Sequence, residues 1–192
     1  MPHSSAPAAR LPHDPLHGLP EDVLRRAGQI RLACFDVDGT LTDGQLYYDH
    51  AGNESKAYFV QDGLGLKLLQ RYGIVPVIIT ARDSASAAPR GADLKVETHV
   101  GIRDKRVLLD QLCQREGIGL EQVAFIGDDL PDITCLRVVG LAVAPADAHP
   151  WVAGTVHWST PAGGGRGAAR QLCDVLLAAG GHLDDVLAGV QP

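Results

Sequence analysis

Short apolar blocks alternate along this chain with longer stretches whose apolar positions recur every three or four residues. The blocks Ile30 to Phe35, Ile74 to Thr80, Val123 to Ile126 and Leu141 to Ala144 are of strand length and mostly apolar, as strands covered on both faces are, and a shorter strand is expected near Val96 to Val100. Between them the spacing predicts helices. One starts at Pro20, carries Glu21 and Asp22 in its first turn and stops at Gly28; a second runs from about Gly63 to Arg71 and closes at Gly73. A third, around Ser84 to Arg90, is interrupted by Pro89, whereas Lys105 to Glu116 stacks Leu108, Leu109 and Leu112 on one face and stops at Gly117. Pro131 opens another helix, and Leu172, Val175, Leu176 and Ala179 stripe the last. This alternation predicts an α/β fold, an open, mostly parallel sheet with helices on both faces. Between Leu46 and Phe59, two short Tyr-containing runs flank Asp49-His50-Ala51-Gly52-Asn53, turn chemistry that predicts a β-hairpin flap.

The 192 residues, 45% of them hydrophobic, suffice for one domain, expected over 21–192. The first twenty lack periodicity and any apolar run suited to a signal peptide, so 1–20 is expected to be a disordered segment. A net charge of −6, with the 17 Lys and Arg scattered, argues against nucleic acid or an anionic membrane as partner. The apolar blocks fall far short of the roughly 20 residues a membrane helix needs. Cys34, Cys113, Cys135 and Cys173 lie far apart, without metal-ligand spacing. They read as reduced core residues of a cytoplasmic protein.

The chemistry concentrates where strands end. Asp36-Val37-Asp38-Gly39-Thr40 follows the first strand, at the carboxyl edge where open α/β sheets bind ligands. A lone pair of carboxylates is as often a helix cap or a surface turn, so their company decides. Alternation along an extended backbone lets Asp36 and Asp38 face one cleft. There, Asp36 can attack phosphorus and Asp38 can protonate the leaving alkoxide and then deprotonate water. Two carboxylates beside a phosphate dianion require a cation. Oxygen ligands point to Mg²⁺, held by Asp36 and by Asp128 of Gly127-Asp128-Asp129-Leu130-Pro131-Asp132, with Asp129 and Asp132 orienting it. Thr80, at a strand end, and Lys105, in a first helical turn that the helix dipole makes unfavourable for a cation, suit the equatorial phosphoryl oxygens.

These four motifs, in this order, resemble the haloacid dehalogenase superfamily of phosphatases. Lys56, Asp62-Gly63-Leu64-Gly65, Ile79-Thr80-Ala81-Arg82, Gly140-Leu141-Ala142-Val143, Ala146-Asp147-Ala148-His149-Pro150 and the Gly163 to Arg170 stretch narrow the resemblance to its capless sugar-acid phosphatases. The resemblance implies a Rossmann-like fold with no cap domain, the stretches from Asp38 to Thr80 and from Arg82 to Lys105 being too short to hold one. It implies Mg²⁺ on Asp36, Asp128 and the backbone carbonyl of Asp38. It also implies a phosphorylated acidic sugar set against Asp38, Phe59, Val60, Gln61, Asp62, Gly63, Lys67, Arg82, Arg90 and Lys105, and a homotetramer in which a neighbouring subunit and its Gly-rich carboxyl segment complete the site. The implied reaction is hydrolysis of 3-deoxy-D-manno-octulosonate 8-phosphate, for lipopolysaccharide precursor synthesis. A nine-carbon sialic-type sugar acid 9-phosphate is the alternative substrate, and a non-enzymatic phospho-aspartate switch the alternative of another class. The Gly163 to Gly167 loop is expected to be a mobile cover. Ala81, Pro89 and Gln171 depart from the family pattern.

Overall fold

In the computed structural model, which describes residues 14–83 and 85–189, six strands form one parallel sheet. They are β1 (Leu32–Phe35), β4 (Val75–Ile79), β5 (Glu97–His99), β6 (Val123–Ile126), β7 (Leu141–Ala144) and β8 (Trp158–Ser159), in the spatial order β5-β4-β1-β6-β7-β8. The order reverses between β1 and β6, so the loops leaving these neighbours diverge and open a crevice at the carboxyl edge. The remaining strands, β2 (Tyr47–Tyr48) and β3 (Glu54–Ser55), pair antiparallel as the expected hairpin. Asp49 Oδ1 accepts the N–H groups of Ala51 and Asn53 at 2.8 and 2.9 Å, closing the turn.

Side-chain alternation splits the core in two. Ala33, Phe35, Ile78, Ala124, Ile126 and Val143 face α1 (Glu21–Ala27), α2 (Val60–Arg71), α3 (Ala87–Leu94) and α7 (Ala168–Ala179); Leu32, Cys34, Val77, Ile79, Phe125 and Ala142 face α4 (Lys105–Glu116), α5 (Ile133–Leu136) and α6 (Pro150–Ala153). The four cysteines are free and buried. A short α8 (Leu183–Ala188) follows α7. Among the described residues, no helix is long and apolar enough to cross a membrane.

Several boundaries differ from the sequence expectation. α3 spans Ala87–Leu94 rather than starting at Ser84, which lies outside the described residues. Pro89 sits in its first turn, where a missing N–H costs no helical bond. α2 begins at Val60, so Val60, Gln61 and Asp62 are helical. The two residues of β8 and the four of α6 are too short to show periodicity. The expected disorder over 1–20 falls, up to residue 13, outside the described residues; within 14–20, Leu16 and Leu19 pack against the core.

The Gly163 to Gly167 loop is seated where a mobile cover was expected. Gly165 N–H donates to Thr40 O at 3.0 Å and Gly164 N–H to Asp147 Oδ1 at 2.9 Å. A Cβ on Gly164 would fall 1.8 Å from Gly39 O, so only glycine lets this loop lie against the turn that follows Asp36. Gln171, neutral where the family pattern has an acid, accepts Ala162 N–H at 2.9 Å and ties down the same loop.

Candidate active site

Three parallel strands deliver the polar groups to one cavity of about 270 Å³, lined by Asp36, Asp38, Thr80, Arg82, Lys105 and Asp128 among others. Asp36 leaves β1 with its N–H donating to Ile126 O at 3.0 Å, which fixes the start of the loop against β6. Its carboxylate, in a residue 6% exposed, pairs with the ammonium of Lys105, itself 2% exposed. Lys105 also reaches Asp132 Oδ1 at 2.6 Å and lies over the Phe125 ring at 5.9 Å. Asp132 Oδ2 accepts the N–H groups of Asp128 and Asp129 at 3.1 and 3.4 Å, so one buried carboxylate both anchors Lys105 and shapes the loop presenting Asp128.

Carboxylate oxygens of Asp36, Asp128 and Asp132 lie within 4.8 Å of one another. Asp132, expected only to orient Asp128, thus joins the cluster as well. The Asp38 side chain, on the same cavity, has partners outside that cluster. Its Oδ2 is 3.5 Å from the Thr80 hydroxyl, and its Oδ1 is 2.5 Å from Lys56 Nζ. Gly39 turns between these sets at φ +84°, and a Cβ there would fall 2.1 Å from Asp128 Oδ2. Thr40, buried and missed by the sequence reading, places its hydroxyl 3.5 Å from Asp128 Oδ1.

Burial and the charge of Asp132 push Asp36 up from 3.8 to about 7, against the pull of Lys105. Burial, with the charges of Asp36 and Asp132, pushes Asp128 up to about 8. Burial disfavours the Lys105 ammonium, but Asp36 and Asp132 outweigh it and hold the proton more tightly than usual. Crowded carboxylates that retain protons are what a divalent cation would relieve, and the hard oxygen donors suit Mg²⁺. The donor set therefore fits that ion.

The expected substrate contacts fall into two groups. Asp38, Arg82 and Lys105 line the cavity. Phe59, Asp62, Gly63 and Arg90 line a separate small void, and Val60, Gly63, Lys67 and Arg90 an outer hollow, both at the amino end of α2. Gln61 lies in the first turn of the same helix. Asp62 is committed to the fold, accepting Arg170 N–H at 2.8 Å near the start of α7. Burial pushes its carboxyl up to about 6.

A haloacid dehalogenase-like hydrolase family model matches residues 101–164. The 3-deoxy-D-manno-octulosonate 8-phosphate phosphatase of Escherichia coli (strain K12) is 42% identical over 166 residues, covering 85% of this chain and 88% of its own. The chain belongs to this phosphatase family. The family's enzyme from Moraxella catarrhalis, crystallised with magnesium ion, phosphate ion and KDO, superposes with a TM-score of 0.86 at 37% identity, over 88% of this chain and 98% of that one. A hypothetical protein from Xanthomonas campestris superposes with a TM-score of 0.93 at 56% identity, over 95% of this chain and all of that one. Phosphoric monoester hydrolysis is the chemistry of the phosphatase family, and the cavity carries nucleophile, acid/base and cation candidates for it.

A pH dependence follows for the metal-free phosphatase. Asp36 and Asp128 are raised in the fold, so they contribute stability at low pH that is lost as pH rises from about 4 through about 7 to 8. Metal binding displaces those protons. The rise in melting temperature on adding Mg²⁺ is therefore expected to be larger at about pH 8 than at about pH 6. Differential scanning calorimetry checks this, and an equal rise at both would refute it.

Proposed function

We propose that this chain hydrolyses 3-deoxy-D-manno-octulosonate 8-phosphate to the free sugar acid and phosphate, with Mg²⁺ as cofactor and an aspartyl phosphate as intermediate. The supporting observation is the convergence of Asp36, Asp38, Thr80, Lys105 and Asp128 on one cavity that also carries Arg82 on its wall. Asp36 attacks phosphorus, and the bond from phosphorus to the sugar oxygen breaks as Asp38 gives that oxygen a proton. Asp38, now a carboxylate, takes a proton from water, which attacks phosphorus and frees Asp36. Thr80 and Lys105 hold Asp38 and Asp36 in their orientations and supply donors to the phosphoryl oxygens. Asp36, Asp128 and the Asp38 carbonyl would hold Mg²⁺, which would supply the positive charge that lets a dianion approach carboxylates. Arg82, 2.7 Å from Glu54 Oε2, is the cation placed to grip the sugar carboxylate in its turn.

The exposed members of the second group, Val60, Gln61 and Lys67, with the half-buried Arg90, serve a neighbouring subunit's substrate in a homotetramer, while Asp62 holds the turn that presents them. The group's separation from the cavity favours this reading, as do the exposed Val60 and Leu64 on α2 and Tyr47 and Tyr48 on the hairpin, apolar surface for a second copy to cover. The catalytic unit is one domain over 21–192, and free buried cysteines suit a cytoplasmic setting. Family membership favours turnover over a signalling switch.

Phosphate release from a panel of sugar phosphates with Mg²⁺ tests the reading. The eight-carbon acid is expected to lead neutral sugar phosphates in kcat/KM by at least about tenfold, since losing a cation-carboxylate contact costs roughly 1.5–3 kcal/mol. Preference for a nine-carbon acid 9-phosphate would transfer the assignment to that alternative, and light scattering on the same preparation reads the subunit count.

A further inference from the structure

Lys56 is an unexplained cation beside the cavity, paired with Asp38 of its wall. Its side chain is fully buried, yet it directly follows the hairpin, whose paired strands span only two residues each and whose Tyr47 and Tyr48 are exposed. Burying an ammonium costs several kcal/mol unless anions compensate, so a flap of this size does not bury one incidentally. Two anions meet it. Asp38 Oδ1 lies at 2.5 Å, a close ion pair rather than an aligned hydrogen bond, and Glu54 Oε1 at 3.3 Å. Glu54 extends the chain of charges to Arg82 at 2.7 Å. Alternation along an extended backbone puts Glu54, in β3, and Lys56, just past it, on the same side, where Lys56 meets Asp38 and Glu54 meets Arg82, two residues of the cavity wall.

The two oxygens of Asp38 are thus divided, Oδ2 to the Thr80 hydroxyl and Oδ1 to Lys56. Thr80 is fixed by β4 and by Arg82 N–H, which donates to its Oγ1 at 3.2 Å. With that contact alone the carboxyl could still swing about its bond to Cβ; with both it has one orientation. We infer that Lys56 is a positioning residue for the reaction, holding the Asp38 carboxyl at the angle from which its proton reaches the departing sugar oxygen, with Glu54 anchoring Lys56 in turn. The hairpin is then part of the catalytic apparatus of its own subunit, whatever its outer face packs against. This rests on the reading of Asp38 as the acid/base.

A general acid matters in proportion to how badly the leaving oxygen needs a proton. A sugar alkoxide needs one; 4-nitrophenolate departs without. Lys56→Met should therefore lower kcat/KM for 3-deoxy-D-manno-octulosonate 8-phosphate by about 10²-fold and for 4-nitrophenyl phosphate by less than about threefold. Lys56→Arg, which restores a cation, should recover part of the loss. The double variant Asp38→Asn with Lys56→Met should be no slower on the sugar phosphate than Asp38→Asn alone, since two residues acting through one step are not additive. Glu54→Gln, which leaves the ammonium in place, should show a smaller loss of the same leaving-group pattern, and it carries the test if Lys56→Met fails to fold. Equal losses on both substrates, or additive losses in the double variant, would overturn the role of Lys56. If Asp38→Asn itself lost equally on both substrates, the acid/base reading of Asp38 would fall, a result distinct from failure of the Lys56 variants.

Discussion

Replacing Asp36 by Asn is expected to cut phosphate release by ~10⁴-fold or more while leaving a folded protein. An amide nitrogen or oxygen at this position is no nucleophile toward phosphorus, so the covalent route closes rather than slows. The structural cost should be modest, for an electrostatic reason. Asp36 is one of three carboxylates within 4.8 Å, and its charge is among the causes that push Asp128 up to about 8. Neutralising it removes a repulsion at the same time as it weakens the pairing of Lys105, which retains Asp132 at 2.6 Å. The melting temperature of the metal-free variant should stay within a few degrees of the parent or rise, whereas its stabilisation by Mg²⁺ should shrink because one ligand is gone. Rapid quench with a ³²P-labelled substrate reads the decisive quantity. Label should accumulate on the parent protein in an acid-stable, base-labile form and be absent from the variant. Turnover retained in Asp36→Asn would exclude the covalent route.

Much of this site was legible because its residues follow uninterrupted apolar blocks. Asp36 after β1, Thr80 after β4 and Asp128 after β6 each mark a strand end in a pattern that only a buried parallel sheet explains. Lys105 stood out for its place in a first helical turn, although the anions it meets are Asp36 and Asp132 of its own chain. What sequence left open depends on tertiary approach. Asp132 joins the carboxylate cluster because the short turn over Leu130–Asp132 folds it back on Asp128, and nothing in its spacing separates that role from an orienting one. Lys56 entered the sequence reading only as part of the family resemblance, and its pairing with Asp38 comes from tertiary approach, though the i, i+2 spacing of Glu54 and Lys56 was the available signal. Gly164 reads as part of a flexible linker, because the carbonyl of Gly39 that its missing Cβ admits belongs to a segment far away in sequence. The separation of Phe59 to Gly63, Lys67 and Arg90 from the cavity is likewise a fact of topology, since Phe59 caps α2, Val60 to Gly63 and Lys67 belong to it, and Arg90 lies on α3 beside its amino end.

Lys105→Met should be the most disruptive single change to both stability and rate. The side chain is 2% exposed and its ammonium joins Asp36 to Asp132. Met keeps most of the volume and the contact with Phe125 but leaves two buried carboxylates facing each other beside a third. Breaking a buried ion pair from one side costs about 3–5 kcal/mol. Unfolding in urea without metal should show a loss of that order, and Mg²⁺ should restore part of it, since the ion supplies charge to the same cluster. Catalysis should fall by ~10²–10³-fold even with metal saturating, because a fixed donor to the phosphoryl oxygens has gone and Asp36 has lost its partner. Adding Asp132→Asn separates the two effects. The pair removes an anion with the cation, so stability should largely return, and the amide oxygen that replaces the carboxylate can still accept the N–H groups that shape the Asp128 loop. Activity should not return with it, because neither Asn nor Met supplies a cation at Asp36. If the double variant regained rate together with stability, Lys105 would be a structural counter-ion alone and its place in the reaction would be withdrawn.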